Sequence, residues 1–599
     1  MTSQLRGRPA SHAPELLALG LLTLGLFVWL LWPFLTGASF PVGPDGPVYL
    51  WWSRIARVEG LSAVGERPGA PALALVLEGT LRLSVVQAIA AIEVAMAVAV
   101  GLASVALVRA RTGTSGWLLA GILGGTFAVH LAAGYLANLA IVAAFLACCA
   151  LLDQRRGRSS GLAALVLAGG GLAHPLFFLL AAVILFVAAA TAWRSDRREA
   201  VRLTGTAVGG GAIVGLGLLT VSVGPSPLDV DTSKDAFLRR AGLTSELRSA
   251  YLDRFVHRWT RYVQWVSVPL PIVGFGEAAG TAGRILRAWL VVTAVGVGVA
   301  LATGWLPADR FVTFGFAVPI LAALGLVRLA RLLERRRVVA VAVTGALTLA
   351  MLGGSAIAWN RQEPFLSEQE VRAVTTANGV VSELPVGVPL VFLVNEPDDT
   401  VSFLAARSGN VIRAGVPPTR IRDVVVVVPP LEGDAGVERR ALERLTARAR
   451  AAAEQAAGEP GVAFVLTPFD EVDRPDDAVV ITPDAEGAAP VDPLEPSSAP
   501  GIVWASVASL TLLLIVGYGW ARIGLDDRLT AAAASPAIGA AMLILLAVAL
   551  DAVGLSLGGT TGAIAASAIA GGGGYLAWVV LERRVRPHPS PQVEQQPTE

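Results

Sequence analysis

Charged side chains are scarce in this chain, so those that stand beside long apolar runs are the first candidates for chemistry. Segment 36–84 holds four arginines, Arg54, Arg57, Arg67 and Arg82, on the side of a membrane that should be poor in them. A guanidinium offers a planar fork that matches a phosphate, so an anionic phosphate ligand would account for the excess. The same segment contains the turn Pro44-Asp45-Gly46-Pro47, where Asp45 caps the helix that follows or shapes the turn. That helix, Val48 to Leu61, carries Tyr49, Trp51 and Trp52 and is expected to lie along the membrane surface. Asp309 and Arg310 read as a salt bridge at a helix rim, or Arg310 as an interfacial arginine. Polar groups inside apolar runs are costly in lipid, which singles out Glu93, His130, His174 and Asp551. A lone buried histidine is more often a packed, hydrogen-bonded core group than a functional one. Asp229, Asp231 and Asp235 are spaced like a cation loop but lack the glycine and glutamate of a calcium loop. With Arg239, Arg240, His257 and Arg258, they read better as a solvated loop over a site.

Long apolar helices must position these groups. The chain has 599 residues, of which only 16% are charged, against roughly 25% in soluble proteins. Mean hydropathy is +0.63. Apolar runs near 15–35, 85–108, 116–133, 135–152, 160–174, 176–193 and 203–223 read as membrane spans. Others follow near 263–281, 287–305, 311–328, 338–358, 502–521, 532–554 and 560–581, roughly fourteen in all. The first run, Leu16 to Phe34, is longer than a signal-peptide core and is expected to stay as a helix. Arginine clusters at 109–111, 155–158, 194–198, 284–287, 335–337, 522–528 and 583–584 mark cytoplasmic loops. They share one side only if 263–281 crosses, despite its Pro269, Pro271 and Glu277. Both termini are then cytoplasmic, and 36–84, 224–262 and 359–501 lie outside. Adjacent Cys148 and Cys149 in an apolar run exclude a disulfide framework. A net charge of +1 gives no sign of a nucleic-acid partner.

Segment 359–501 differs in composition. Val388–Val394, Asp423–Val428, Val462–Leu466 and Ala478–Ile481 read as short strands, with a helix expected over Glu438–Ala457. Alternating strands and helices indicate a small α/β domain, and 483–500 reads as a linker back to the membrane. The chain thus divides into a transmembrane part (1–358), an extracytoplasmic α/β domain with its linker (359–501), and C-terminal transmembrane helices with a tail (502–599). The soluble segment has no phosphate-cradling glycine loop, no metal-spaced His or Cys cluster and no nucleophile elbow.

The order of features over residues 15–358 resembles the GT-C superfamily, membrane glycosyltransferases that use polyprenyl-phosphate sugars. A first helix, an external loop with an early acid and a surface helix precede Gly65-Glu66-Arg67-Pro68-Gly69-Ala70-Pro71. Ala133-Gly134-Tyr135-Leu136-Ala137-Asn138, Leu172-Ala173-His174-Pro175 and Pro307-Ala308-Asp309-Arg310-Phe311 follow at outer turns. The resemblance implies a GT-C-like helical membrane fold and transfer of a sugar from a polyprenyl-phosphate carrier to an extracytoplasmic glycan, lipid or protein acceptor. It makes Asp45 the catalytic carboxylate, drawing a proton from an acceptor hydroxyl. It places Arg310 on the donor phosphate with Asp309 orienting it. Arg54, Arg57 and Arg82 are competing phosphate ligands, and His130 and His174 are candidates for the cavity wall. Asp45 is followed by Gly46 where many members carry a second acid, and the turn near Gly134 has none, so no metal or other cofactor is expected. A transporter or flippase of lipid-linked glycans is the main alternative. Such a protein should show paired halves with broken helices in matching positions, and no such symmetry is evident. A non-catalytic scaffold for a cell-envelope partner is the third reading.

Overall fold

In a computed structural model, the chain is described over residues 13–43, 46–64, 67–110, 116–132, 134–154, 157–221, 252–253, 255–303, 308–362, 424–426, 463–465 and 495–585. The first half contains α1 (Ala13–Leu35), α2 (Gly46–Glu59), α3 (Gly69–Leu81), α4 (Val85–Arg109), α5 (Trp117–Phe127) and α6 (Val129–Ala132). Next come α7 (Leu136–Asp153), α8 (Gly157–Ala173), α9 (Pro175–Ala192) and α10 (Arg197–Val221). The second half comprises α11 (Pro269–Phe275), α12 (Gly280–Thr303), α13 (Asp309–Thr313), α14 (Ala317–Leu332), α15 (Arg337–Asn360), α16 (Ala499–Gly524), α17 (Arg528–Ala552) and α18 (Thr560–Val585).

Ten of the described helices are long and apolar enough to cross a membrane: α1, α4, α7, α9, α10, α12 and α15–α18. The chain is therefore a multi-pass helical membrane protein. The other four expected spans are short or interrupted. The run at 116–133 is divided between α5 and α6, and α8 has 17 residues, about 25 Å of helix. Gly315 falls in a break between α13 and α14. The expected span at 263–281 is not one continuous helix. A π-turn over Trp259–Val263 ends at Gln264, whose φ of 64° no regular helix accommodates, and Pro269 and Pro271 then open α11. Breaks of this kind are tolerated at membrane depth where protein surrounds them. Gly274 of α11 and Gly325 of α14 allow the two backbones to touch: a Cβ on Gly274 would stand 2.0 Å from the Leu321 carbonyl oxygen.

Helix α7 serves as a ruler for this segment. Arg258 bonds the hydroxyl of Tyr135, just before α7 begins, and the Ala282 amide donates to Asp153, its last residue, at 2.9 Å. Residues 258–282 therefore traverse the full height of α7, about 27 Å at 18 residues.

Contacts sort the bundle into two ends. At one, Arg109 pairs with Glu15 at 2.7 Å and Asp527 at 2.9 Å, joining α4, α1 and the start of α17. Arg284 pairs with Glu199 at 2.9 Å, and Arg331 with Glu277 at 3.0 Å, at the same arginine-rich end. At the opposite end, α2 and α3 cover the bundle. Gly69 abuts the backbone of Ala173, where α8 finishes, and Gly79 abuts Ala563, where α18 starts. Helix α3 therefore lies across this end; at 13 residues it is too short to span. Both edges of the 359–501 segment are fastened here: Trp32 donates to Asn360 at 2.7 Å, and Ser497 donates to the Ser39 carbonyl at 2.9 Å.

Within that segment, β1 (Val424–Val426) and β2 (Ala463–Val465) fall inside two of the expected strands and pair in parallel, Val425 opposite Phe464. A parallel pair needs a crossover connection. The expected helix at 438–457 and the strands at 388–394 and 478–481 lie outside the described residues.

Candidate functional site

The covered end carries the polar groups picked out in the sequence. Asp45 itself lies outside the described residues, but its neighbourhood is defined. Glu93, wholly buried in α4, accepts the Val42 amide at 3.1 Å and so anchors the loop three residues before Asp45. Helix α2 starts at Gly46, directly after it. The aromatic face of α2 does not lie open along a membrane surface as expected. Tyr49 and Trp52 are buried, packed edge to face at 5.5 Å, and the Tyr49 hydroxyl accepts the Ala137 amide at the start of α7. An amphipathic pattern specifies an apolar partner without saying whether that partner is lipid or protein.

The arginines of this region divide by partner. Arg57 is engaged by Glu78, a buried carboxylate of α3. Arg54 lies close to Arg57; burial, then repulsion from Arg57, lowers its guanidinium to about 10, still charged at neutral pH. The Leu61 amide beyond the end of α2 donates to Asp551 of α17 at 3.0 Å. Arg82 is exposed, in the left-handed conformation (φ 56°) that ends α3.

His174 lies within the electrostatic reach of Arg310. His174 caps α9: its Nδ1 accepts the Phe177 amide at 3.3 Å and its ring stacks on Phe177 at 4.3 Å. Burial, then the positive fields of Arg67 and Arg310, hold its pKa well below 6.5. The imidazole is neutral, and with Nδ1 accepting, Nε2 carries the proton. Arg310 is exposed near the start of α13. The backbone of Asp309 begins that helix.

Just inside this cluster an apolar groove of about 490 Å³ opens between α9 and α12, lined by Leu180, Val183 and Val187 on one wall and Val291, Val295 and Val299 on the other. Phe311, next to Arg310, closes it above Gly296. A Cβ on Gly296 would stand 2.2 Å from the Phe311 ring, so the closure depends on glycine. Leu180 and Val187 lie six and thirteen residues beyond His174, placing the groove about 9–20 Å below it along α9.

His130 belongs to a different neighbourhood. It is buried with Nδ1 against the Phe127 carbonyl, its ring beside Phe127 at 4.3 Å and stacked with Phe316 at 5.8 Å. Tyr135 and Arg258 form a further outer contact, hydrogen-bonded at 2.8 Å with the guanidinium 5.2 Å from the ring centre. Sequence reasoning assigned no role to Glu78 or to the Tyr135–Arg258 pair. Glu78 had a visible signal, a lone acid in the apolar run 69–81; Arg258 was placed only within a solvated loop. Among the described residues no group of three or more His, Cys, Asp or Glu could hold a metal ion.

No family model matches this chain, and no curated relative is found. Solved structures of the oligosaccharyltransferase of the archaeon Archaeoglobus fulgidus do align with it. The apo form is 13% identical, with a TM-score of 0.45 over 75% of this chain and 72% of that one. The same enzyme, AglB, bound to an inhibitory peptide and a dolichol-phosphate aligns at 13% identity and a TM-score of 0.41, over the same shares of the two chains. Its complex with zinc and sulfate gives 13% and 0.41, over 74% and 70%.

Proposed function

We propose that this protein transfers a sugar from a polyprenyl-phosphate carrier to an acceptor hydroxyl at the covered end of the bundle. One observation carries the reading: an apolar groove between α9 and α12 is closed by Phe311, the neighbour of Arg310, and lies below His174 along α9. A long isoprenoid tail with an anionic head has the complementary form. The tail lies in the valine-lined groove, and the phosphate meets the guanidinium, with the neutral His174 Nε2–H as a second donor. The acceptor oxygen attacks the anomeric carbon, and the bond from that carbon to the phosphate oxygen breaks. Polyprenyl phosphate leaves with the electron pair, and the acceptor proton passes to Asp45. Positive charge from Arg310 and Arg67 stabilises the negative charge growing on the phosphate.

Binding of a polyprenyl-phosphate sugar to Arg310→Lys and Asp309→Asn tests the assignment. Lysine keeps the charge but lacks the fork. Losing one charge-assisted bond costs about 1.5–3 kcal/mol, so the Arg310 variant should bind about ten- to a hundredfold more weakly. An arginine serving only as a rim salt bridge is worth about 0–1 kcal/mol, so unchanged affinity would reject it as the phosphate ligand. Asp309→Asn should weaken binding less than Arg310→Lys if Asp309 only orients the guanidinium.

A further inference from the structure

At the arginine-rich end, α14 and α15 are joined by a tight turn over Glu334–Arg336, and Arg335, Arg336 and Arg337 are all exposed. None of the three is ion-paired with an acid among the described residues, whereas nearby Arg328 and Arg331 share Glu277. Beside this turn, α14, α15 and α5 enclose an open groove of about 460 Å³, with Val327, Ala330, Val341 and Gly345 among its walls. Its two threonines add no free polar group. Thr344 donates to the Ala340 carbonyl and Thr348 to the Thr344 carbonyl, each at 2.7 Å. The walls therefore present mostly hydrocarbon and no free hydroxyl donor, which suits an acyl chain better than a sugar or a peptide.

Depth and charge agree. Val341 and Thr348 lie four and eleven residues beyond Arg337, so the groove runs from about 6 to about 16 Å below the arginines. Half of a bilayer's hydrocarbon core is about 15 Å thick. A chain anchored by its headgroup at the turn would fill the groove without leaving its own leaflet. We infer that this groove binds one acyl chain of an anionic glycerophospholipid whose phosphate is held by the Arg335–Arg337 turn. The site is separate from the donor groove, which lies between other helices and opens below the opposite end of the bundle.

The test uses the full chain, purified after exposure to vesicles containing equal amounts of phosphatidylglycerol and phosphatidylcholine, with retained lipid read by native mass spectrometry. Wild-type protein should retain phosphatidylglycerol preferentially. Replacing Arg335, Arg336 and Arg337 together by Gln should cut that preference at least about tenfold, as expected for the loss of charge-assisted phosphate contacts. Gly345→Phe keeps the arginines but fills the groove; a Cβ at Gly345 meets no atom within 4 Å, so the new side chain starts in open space. It should also lose the retained lipid. Inorganic phosphate should fail to displace the lipid, because it lacks the chain. Equal retention of the two lipids by wild type, retention unaffected by Gly345→Phe, or displacement by phosphate alone would each overturn the proposal. Both variants alter the lipid-facing surface, and an unchanged elution profile confirms that they fold.

Discussion

Asp45 is the residue whose role most needs a direct test, and its surroundings say how to run it. The loop before it is held by the Glu93–Val42 bond and the helix after it by the burial of Tyr49 and Trp52. Asp45→Asn leaves both anchors in place and removes only the proton acceptor. Transfer should fall by at least about a hundredfold, the low end for general-base catalysis, with donor binding little changed. Normal turnover in the folded variant would remove Asp45 from the mechanism. His174 makes a pH-dependent prediction. Its folded pKa is depressed below 6.5, so between those values the unfolded chain holds a proton that the folded chain refuses. Its contribution to stability is complete above about pH 6.5 and is lost as pH falls below that value. His174→Asn keeps a capping acceptor but no titrating group. The drop in thermal midpoint between pH 7.5 and pH 5.5 should be smaller in the variant than in wild type, and equal drops would contradict the burial of a neutral imidazole. At this scale the sequence showed which residue types were out of place, Arg310 and His174 among them. It could not show that Arg57 is already answered by Glu78, because that pairing depends on how α2 folds against α3.

Among the elements, continuous helices were legible and interrupted ones were not. Ten runs of apolar residues became long helices because hydropathy and helix length ask for the same thing. Hydropathy averaging passes over Gln264, Pro269 and Gly315, which break the local hydrogen-bond ladder while leaving the composition apolar. Helix α3 was missed for the opposite reason: an apolar stretch of 13 residues is too short to read as a span, and nothing local says that it lies across the bundle end. The groove proposed for the donor tail could not be read at all, since it is a gap between α9 and α12 and is left by side chains that fail to meet. That gap can be filled. Val295→Trp on α12 should weaken binding of a long-chain polyprenyl-phosphate sugar while leaving a short-chain, water-soluble analogue unaffected. An equal loss for both donors would mean that the groove does not carry the tail.

For the molecule as a whole, the arginine clusters and the two sets of end contacts give one orientation. If the arginine-rich end faces the cytoplasm, the 359–501 segment faces away from it. A cysteine introduced at Ser402 should react with an impermeant thiol reagent in intact cells. Labelling only after permeabilisation would invert the topology and move the proposed site to the other side of the membrane.

The fastening of that segment has one more consequence. Its leading edge is tied at Asn360 to Trp32, and its trailing edge at Ser497 to Ser39, two points seven residues apart on a single stretch of chain. Seven residues reach at most about 25 Å, so entry and exit stand close together whatever the folded form of the stretch between them. In engineering terms the segment is a cassette seated in one socket. It can be cut out and bridged by a short flexible linker, or exchanged for a foreign domain with neighbouring termini, without pulling the helices apart. Because the socket is the stretch that leads into Asp45, a load on the cassette would be felt first in the loop that carries Asp45.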